Sequence, residues 1–180
     1  MVGHAVVARA QWRASEDSSK PDISFVPMME RRRLTPVERA AFAVAHEAMV
    51  IAGETRAVPV VFASRWGEIG MTLKLMRQIH DEGEMSPAGF SASVHNAAPG
   101  AWSLFTHSTV PYTAIAARSR TREMGLLEAE AQLVELLKRD ASARVLFVWA
   151  EESPPEFYRP HLTEAWPACA EALLLGGADV

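Results

Sequence analysis

The residues best suited to chemistry lie where a short apolar run meets a long helical pattern. Residues 112–117 are aromatic, β-branched and small, which predicts a strand covered on both faces. Arg118, Ser119, Arg120 and Thr121 are the only polar interruption before the helical pattern begins. A strand that runs directly into a helix places the joining residues at the helix N-terminus, where backbone amides and the helix dipole favour a nucleophile or an anion. Ser119 is therefore the first candidate for a functional role.

His95 and Asn96 are the next candidates, as an acid–base or ligand pair. Adjacent side chains rarely converge on one point, and no second histidine or carboxylate has metal-ligand spacing, so capping and packing are the favoured roles. Ser93 is interpreted as a turn residue. The sequence contains no Gly-x-Ser-x-Gly motif, glycine-rich phosphate loop or dinucleotide fingerprint. We expect neither a metal ion nor a cofactor.

Glu130 differs from the other carboxylates because it lies between Leu126 and Leu133 on the apolar face of the predicted helix. A lone buried carboxylate is costly, so it must be paired, hydrogen-bonded or protonated. A structural pair is the favoured interpretation.

Alternating helices and apolar strands must position these residues. Thr35 and Glu38 have the spacing of a capping box, and Pro36 occupies the first helical position, which predicts a helix from there to Ala52 that ends at Gly53. Strands are predicted at 1–8, 58–63, 112–117 and 144–150, further helices at 68–80 and 122–138, and a last strand or short helix at 168–175. The alternation predicts an α/β domain with a sheet covered on both faces.

Composition sets the class of protein. A chain of 180 residues with 49% hydrophobic content predicts one globular domain, 1–180, in which residues 1–22 are poorly specified. The net charge is −4, and the basic run 31–33 is too short for a nucleic-acid face. Cys169 is the single cysteine, which excludes an internal disulfide framework and is typical of a reducing cytoplasm. No stretch is long enough to span a membrane, so we expect a soluble, cytoplasmic protein.

Several motifs in this order resemble a known family. They are RRLTP (32–36) with its helix, VPVVFASRWGEI (58–69), SPAGFSASVHNAAPGAWSL (86–104), YTAIAA (112–117) and GLLEAEAQL (125–133). This arrangement resembles the N-terminal half of β-ketoacyl synthases, and more closely the half-length β-ketoacyl synthase-like N-terminal domain family. The resemblance implies a thiolase-like half with a mixed sheet and helices on both faces.

The same resemblance implies that the chain does not catalyse condensation alone. In an active ketosynthase the strand matching Tyr112 to Ala117 ends at a cysteine that carries the acyl chain. Here Ser119 lies nearest that position. Two further catalytic groups, histidines or their substitutes, belong to a C-terminal half that this sequence lacks. Condensation needs the thiolate and the imidazoles, and an unactivated serine is a poor substitute.

Half-length relatives resemble chain-length factors, which are non-catalytic partners of active ketosynthases in polyketide-like pathways, including those for aryl polyene pigments. The resemblance implies a heterodimer with a ketosynthase or a homodimer, and contact with acyl carrier protein. It also implies that the strand at Tyr112 to Ala117 pairs antiparallel across the dimer axis. A serine-dependent acyltransferase and a free-standing acyl-binding module are the alternatives.

In chain-length factors, side chains at the interface shape the floor of the tunnel that receives the acyl chain. The resemblance matches them to the segment from Ser86 to Trp102 and the turn from Arg118 to Arg122. The residues that we expect at the tunnel or the interface are Phe90, Ser93, His95, Asn96, Ala98, Trp102, Tyr112, Arg118, Ser119 and Glu130. Small residues, Ala92, Ala97, Ala98 and Gly100, would leave room for the acyl chain, whereas Phe90 and Trp102 would close it.

Overall fold

The computed structural model describes residues 4–16, 19–163 and 166–178. The strands are β1 (His4–Arg13), β2 (Val60–Ala63), β3 (Tyr112–Ile115), β4 (Arg144–Glu151) and β5 (Cys169–Gly177). The helices are α1 (Met28–Arg31), α2 (Pro36–Ile51), α3 (Ile69–Glu82), α4 (Pro87–Ser91), α5 (Ala97–Phe105) and α6 (Thr121–Leu137). Two short 3₁₀ turns occupy Arg118–Arg120 and Arg159–His161.

The strands form one mixed sheet in the order β1-β5-β4-β2-β3. β4, β2 and β3 are parallel, whereas β5 pairs antiparallel with both β4 and β1. α2 packs on one face of the sheet and α6 on the other. The α/β class, with a mixed sheet and helices on both faces, is confirmed.

The sheet separates two apolar clusters, and β4 contributes to both through the alternation of its side chains. Leu146 and Val148 belong to the cluster on the α2 side, which we call the α2-side core. Val145 and Phe147 belong to the cluster under α6, the α6-side core, together with Leu133. All four β4 side chains are at most 3% exposed, so β4 is the centre of the packing.

The N-terminus of α2 has the predicted capping box. The Thr35 hydroxyl accepts a hydrogen bond from the Glu38 amide at 3.1 Å, and the Glu38 carboxylate accepts one from the Thr35 amide at 2.7 Å. The helix ends at Ile51, and Gly53 follows with a φ of 61°, the left-handed conformation that glycine adopts most easily. Both predicted ends of this helix are confirmed.

α6 lies where the helical pattern predicts it, but the single chain buries only one of its faces. Ala129 and Leu133 are fully buried against the sheet. On the opposite face Leu127 is 56% exposed and Val134 is 38% exposed. The prediction of a strand followed directly by a long helix is confirmed, whereas the expected central burial of that helix is not found within this chain.

β3 corrects the prediction of a strand buried on both faces. Ala114 packs against the α2-side core and Ile115 against the α6-side core, so both faces have contacts. The strand is nevertheless at the end of the sheet, it stops at Ile115, and Tyr112 is 38% exposed. A run of small and apolar residues indicates packing above and below a strand, but it carries no information about which strands lie beside it.

The two ends of the chain also settle sequence predictions. The strand expected at 1–8 is the edge strand β1, which continues to Arg13, while residues 1–3 are outside the described part. The last segment, which the sequence predicts as either a strand or a short helix, is the strand β5. Among the described residues no helix combines the length and hydrophobicity needed to cross a membrane.

Candidate functional site

The turn after β3 is held in an uncommon conformation by one buried hydroxyl. Arg118 has a φ of 54°, which a residue with a side chain adopts only at a cost. The Thr121 hydroxyl accepts a hydrogen bond from the Ala117 amide and donates one to the Arg118 carbonyl, each at 2.8 Å. Thr121 is only 2% exposed, so these contacts fix the turn and present Ser119 at the surface.

Ser119 lies at the edge of a cavity of about 260 Å³ that we call the tryptophan–arginine cavity. Its lining residues come from the ends of several strands and the loops that follow them: Arg13, Arg65, Trp66, Arg118, Ser119, Thr121, Arg122, Trp149, Glu151, Trp166 and Cys169. A wider depression of about 810 Å³ adjoins it and shares Arg65, Trp66 and Arg118. The strand-to-helix turn therefore borders a recess.

Ser119 has no general base in this cavity. None of the lining residues within the described part of the chain is a histidine. The one carboxylate, Glu151, is already occupied: it accepts hydrogen bonds from the Ser64 hydroxyl, the amides of Arg65 and Trp66, and the Trp149 indole. A serine without a base is a weak nucleophile.

Cys169 is a thiol that the sequence did not single out. It opens β5, is half-buried, and lines the same cavity as Ser119. Burial raises the pKa of Cys169, with the nearby Glu151 adding to the effect, so the thiol is less ionised than an exposed cysteine. No sequence motif surrounds Cys169 that could have indicated this position.

A second buried carboxylate, Glu171, lies on β5 under the start of α6. It is 2% exposed and binds Arg122 of α6 at 2.6 Å and Arg9 of β1 at 2.7 Å, while Gln11 donates a further hydrogen bond at 3.0 Å. The arrangement joins three separate elements, and it neutralises the guanidinium of Arg122.

The segment between α3 and β3 forms an open groove of about 1170 Å³. The predicted residues Asn96 and Tyr112 line it, together with Ala97, Gly100 and Leu104. The groove has both apolar and charged lining residues, among them Lys74 and Glu82, and Leu104 is 78% exposed. Because β3 is the last strand of the sheet, this groove lies beside the open sheet edge.

Phe90 and Ser93 lie in the short segment around α4, on the same side as the groove. Phe90 is 53% exposed, and the Ser93 hydroxyl donates to the Phe90 carbonyl at 2.8 Å. The hydroxyl of Ser93 thus stabilises a local turn.

Asn96 precedes α5, but its side chain makes no capping hydrogen bond, because its backbone is near helical with φ −94° and ψ 13° rather than extended.

His95 has a structural position. Its Nε2 lies 2.7 Å from the Ser64 carbonyl oxygen, and its ring packs near Phe62 at a centroid distance of 6.1 Å. The Cδ2 atom of His95 also lies close to Gly67, where a Cβ would approach within 3.2 Å. His95 therefore joins the α4–α5 segment to the turn after β2, in agreement with the packing role favoured from the sequence.

Ala98 and Trp102 pack inward from α5. Ala98 is 3% exposed within the α2-side core, and Trp102 packs edge-to-face on Phe42 at 5.1 Å. These two residues attach α5, whose other side lines the groove, to the core.

Glu130, placed on the apolar face of α6 by the helical pattern, is half-buried rather than enclosed, because the residues that face the sheet directly are Gly125, Ala129 and Leu133.

A buried cluster of acidic residues connects α2 with α3. Glu68, which precedes α3, is 3% exposed, and its Oε1 accepts a hydrogen bond from the Thr35 hydroxyl at 2.8 Å. Its Oε2 is buried and has no partner among the described residues. The pKa of Glu68 is raised to about 8, chiefly by burial; the Thr35 hydrogen bond opposes this effect, and the nearby carboxylates of Glu38 and Glu152 add to it. In the described part of the chain no three His, Cys, Asp or Glu side chains are grouped to hold a metal ion.

Comparisons with known proteins identify this arrangement of elements. Residues 6–180 match the family model described as β-ketoacyl synthase, N-terminal domain. No curated protein matches the chain.

Solved structures give the same fold. A chain in the complex of the ketosynthase ApeO with its chain length factor ApeC from Xenorhabdus doucetiae is 27% identical, with a TM-score of 0.71 over 85% of this chain. The ishigamide ketosynthase/chain length factor superposes with a TM-score of 0.68 over 93% of this chain at 18% identity. A chain of the AntDE:AntF complex, a type II polyketide synthase carrier protein with its ketosynthase bound to the hexaketide, gives 0.74 over 98% at 12% identity. This chain covers 62%, 54% and 63% of those chains, respectively.

Proposed function

Because the chain belongs to the β-ketoacyl synthase N-terminal domain family, we propose that it is a non-catalytic subunit of the chain-length-factor type. In this proposal it pairs with an active β-ketoacyl-acyl-carrier-protein synthase in fatty-acid or polyketide-like biosynthesis. The observation that carries the proposal is the turn at Arg118–Arg120, where an exposed serine without a base occupies the place that the resemblance gives to the acyl-carrying cysteine.

The chemistry at this turn favours a non-catalytic role. Condensation needs a thiolate that can hold an acyl group and a group that drives decarboxylation of the extender. Ser119 has arginines on both sides and no base, and burial raises the pKa of the Cys169 thiol in the same cavity. Neither side chain has the environment of an activated nucleophile.

The open edge of β3 supports the pairing. The carbonyls of Pro111 and Ile115 accept hydrogen bonds from the amides of Val60 and Ser64, so the alternate residues of β3 bond towards β2. Tyr112 and Ala114 therefore direct their backbone groups to the unpaired edge. Such an edge readily pairs with a strand of another chain unless it is covered.

Exposed apolar residues beside the β3 edge also support pairing with another chain. Val94, Leu104 and Tyr112 line the groove and are between 37% and 78% exposed. Contiguous exposed apolar residues mark interaction surfaces. An obligate interface of this kind commonly buries more than about 2,000 Å² in total. Structures similar to this chain include a ketosynthase solved together with its chain length factor, which is consistent with such a partner.

The groove supplies a place for chain-length control. Ala97 and Gly100 line it, and a Cβ on Gly100 would lie 3.3 Å from the Tyr112 hydroxyl, so small side chains keep this wall open. In the proposal this wall becomes part of the floor of the partner's acyl tunnel. The sequence resemblance extends the proposal to aryl polyene pigments, which product analysis of the reconstituted pair would decide.

The direct test is co-expression with the ketosynthases of the same genome, followed by affinity purification and native mass measurement. We expect a stable one-to-one complex with one of them. Ala114→Pro should abolish it, because proline removes the outward amide without breaking the bonds to β2. Ala114→Val keeps the amide and is the matched control, and thermal melting of both variants checks that they fold. A monomer in every mixture, or an unchanged complex with Ala114→Pro, would refute the pairing through β3.

A second measurement separates this proposal from the serine acyltransferase. The purified chain is incubated with acyl-carrier-protein thioesters and its intact mass is recorded. We expect no acyl adduct. An adduct that disappears in Ser119→Ala would establish the acyltransferase instead, and acyl-chain binding without a partner would favour the free-standing acyl-binding module.

A further inference from the structure

We propose that the tryptophan–arginine cavity beside Ser119 binds a small planar carboxylate. This inference does not depend on whether the chain pairs with a ketosynthase. It stems from an imbalance in the cavity, whose walls carry more hydrogen-bond donors and positive charges than acceptors and negative charges.

The charges come from arginines at three different places in the fold. Arg13 ends β1, Arg65 follows β2, and Arg118 is the residue with the positive φ after β3. None of the three forms an ion pair with a carboxylate in the described part of the chain. Arg122 also lines the cavity, but it forms an ion pair with Glu171.

The acidic residue of the cavity does not balance these charges. The oxygens of Glu151 accept hydrogen bonds from the Ser64 hydroxyl, the backbone of the Arg65–Trp66 turn and the Trp149 indole. Its carboxylate is therefore committed to the fold of that turn. An anion bound between Arg65 and Arg118 would receive charge-assisted hydrogen bonds from groups that otherwise have no counter-ion.

The remaining walls are aromatic. Trp66 stacks on Trp166 with ring centroids 6.0 Å apart, and the Arg65 guanidinium lies 4.9 Å from the centroid of Trp66. Trp149 also lines the cavity, so three indole rings contribute to its walls. Aromatic walls of this kind suit a flat apolar body.

The dimensions limit the ligand to a small molecule. A cavity of about 260 Å³ accommodates one or two fused rings with a carboxylate, and the adjoining depression gives access through Arg65 and Arg118. The strained backbone of Arg118, held by Thr121, fixes the point at which this side chain leaves the turn beside the cavity. Strain that the surrounding structure maintains is typical of ligand sites.

The test compares 2-naphthoate with its neutral isostere 2-naphthamide and with inorganic phosphate, by calorimetric titration of the full chain. We expect naphthoate to bind at least about tenfold more tightly than naphthamide, because only the carboxylate pairs with the arginines. Naphthoate should also bind more tightly than phosphate, which lacks the flat apolar body. Cys169 gives an independent readout: as the single cysteine of the chain, it should be alkylated by N-ethylmaleimide more slowly when naphthoate fills the cavity.

Variants locate the binding. Arg118→Gln should weaken naphthoate binding at least about fivefold and raise the naphthoate concentration that half-protects Cys169 by the same factor, whereas Arg118→Lys should have a smaller effect on both. Arg120→Gln is the matched control, because Arg120 lies on the same turn but pairs with Glu123 and does not line the cavity. Arg65→Gln tests the same site without altering the strained residue. Equal binding of naphthoate and naphthamide, equal loss with Arg120→Gln, or an unprotected Cys169 would overturn the proposal.

Discussion

Replacing Glu68 by glutamine should remove much of the pH dependence of this protein's stability. The native fold encloses the Glu68 carboxyl group, with one oxygen bonded to Thr35 and the other without a partner in the described residues. Its pKa is raised from 4.5 to about 8, chiefly by burial. In the unfolded chain the same group titrates near its ordinary value. Between these two pH values the native protein keeps a proton that the unfolded chain releases.

This difference in bound protons determines whether the stability of the protein rises or falls with pH. Because the unfolded state binds fewer protons, the free energy of unfolding falls as the pH rises. Each pH unit in this window costs about 1.4 kcal/mol, so raising the pH from 5 to 7 should cost the wild type roughly 3 kcal/mol through Glu68 alone. Glutamine can still accept the Thr35 hydrogen bond, and it cannot ionise. Glu68→Gln should therefore match the wild type near pH 5 and exceed it by roughly 3 kcal/mol near pH 7.

The assay is urea denaturation of both proteins at several pH values from 5 to 8, with Glu84→Gln as the control. Glu84 is an exposed carboxylate in the loop after α3, so its removal should leave the pH profile parallel to that of the wild type. Glu38 and Glu152 also have raised pKa values because of burial, so both proteins should keep a residual slope. If the profiles of Glu68→Gln and the wild type run parallel, Glu68 does not retain its proton in the native state.

Two further predictions concern packing. Gly125→Ala should destabilise the chain by about 1–3 kcal/mol in urea denaturation, because the new methyl would lie 2.6 Å from the Cβ of Ala63 and 2.9 Å from a ring carbon of Phe147. If the variant and the wild type have the same free energy of unfolding, α6 can move away from the sheet without a loss of stability. Ala97→Phe should shorten the product of the reconstituted ketosynthase pair, because a bulky group in the groove limits the growing chain; unchanged product lengths with an intact complex would exclude a role in chain-length control.

Local signals in the sequence predicted those features that depend on neighbouring residues. The capping box of Thr35 and Glu38, the apolar run of β4 and the apolar face of α6 each follow from spacing within one element. The turn at Ser119 was located for the same reason, since a strand and a helix meet there directly along the chain.

Features that depend on distant contacts were not predictable in this way. Nothing in the sequence beside Glu68 indicates that its carboxylate is buried, because its hydrogen-bond partner Thr35 lies 33 residues away along the chain. The tryptophan–arginine cavity draws residues from separate segments as distant as Arg13 and Cys169, so no motif encodes it. The edge position of β3 depends on the strand order, which the composition of one strand does not contain.

The alternation of side chains along β4 has a consequence for how the protein can change. Leu146 and Val148 belong to one core and Val145 and Phe147 to the other, and the described members of the two cores lie on opposite faces of the sheet. Substitutions in different cores share no packing partners, so their effects on stability should add, whereas substitutions within one core should be coupled. An evolving sequence can therefore accumulate changes on the α6 side, next to the cavity, without compensating changes behind the groove. The two faces of one strand thus make the two cores of the protein separately adaptable.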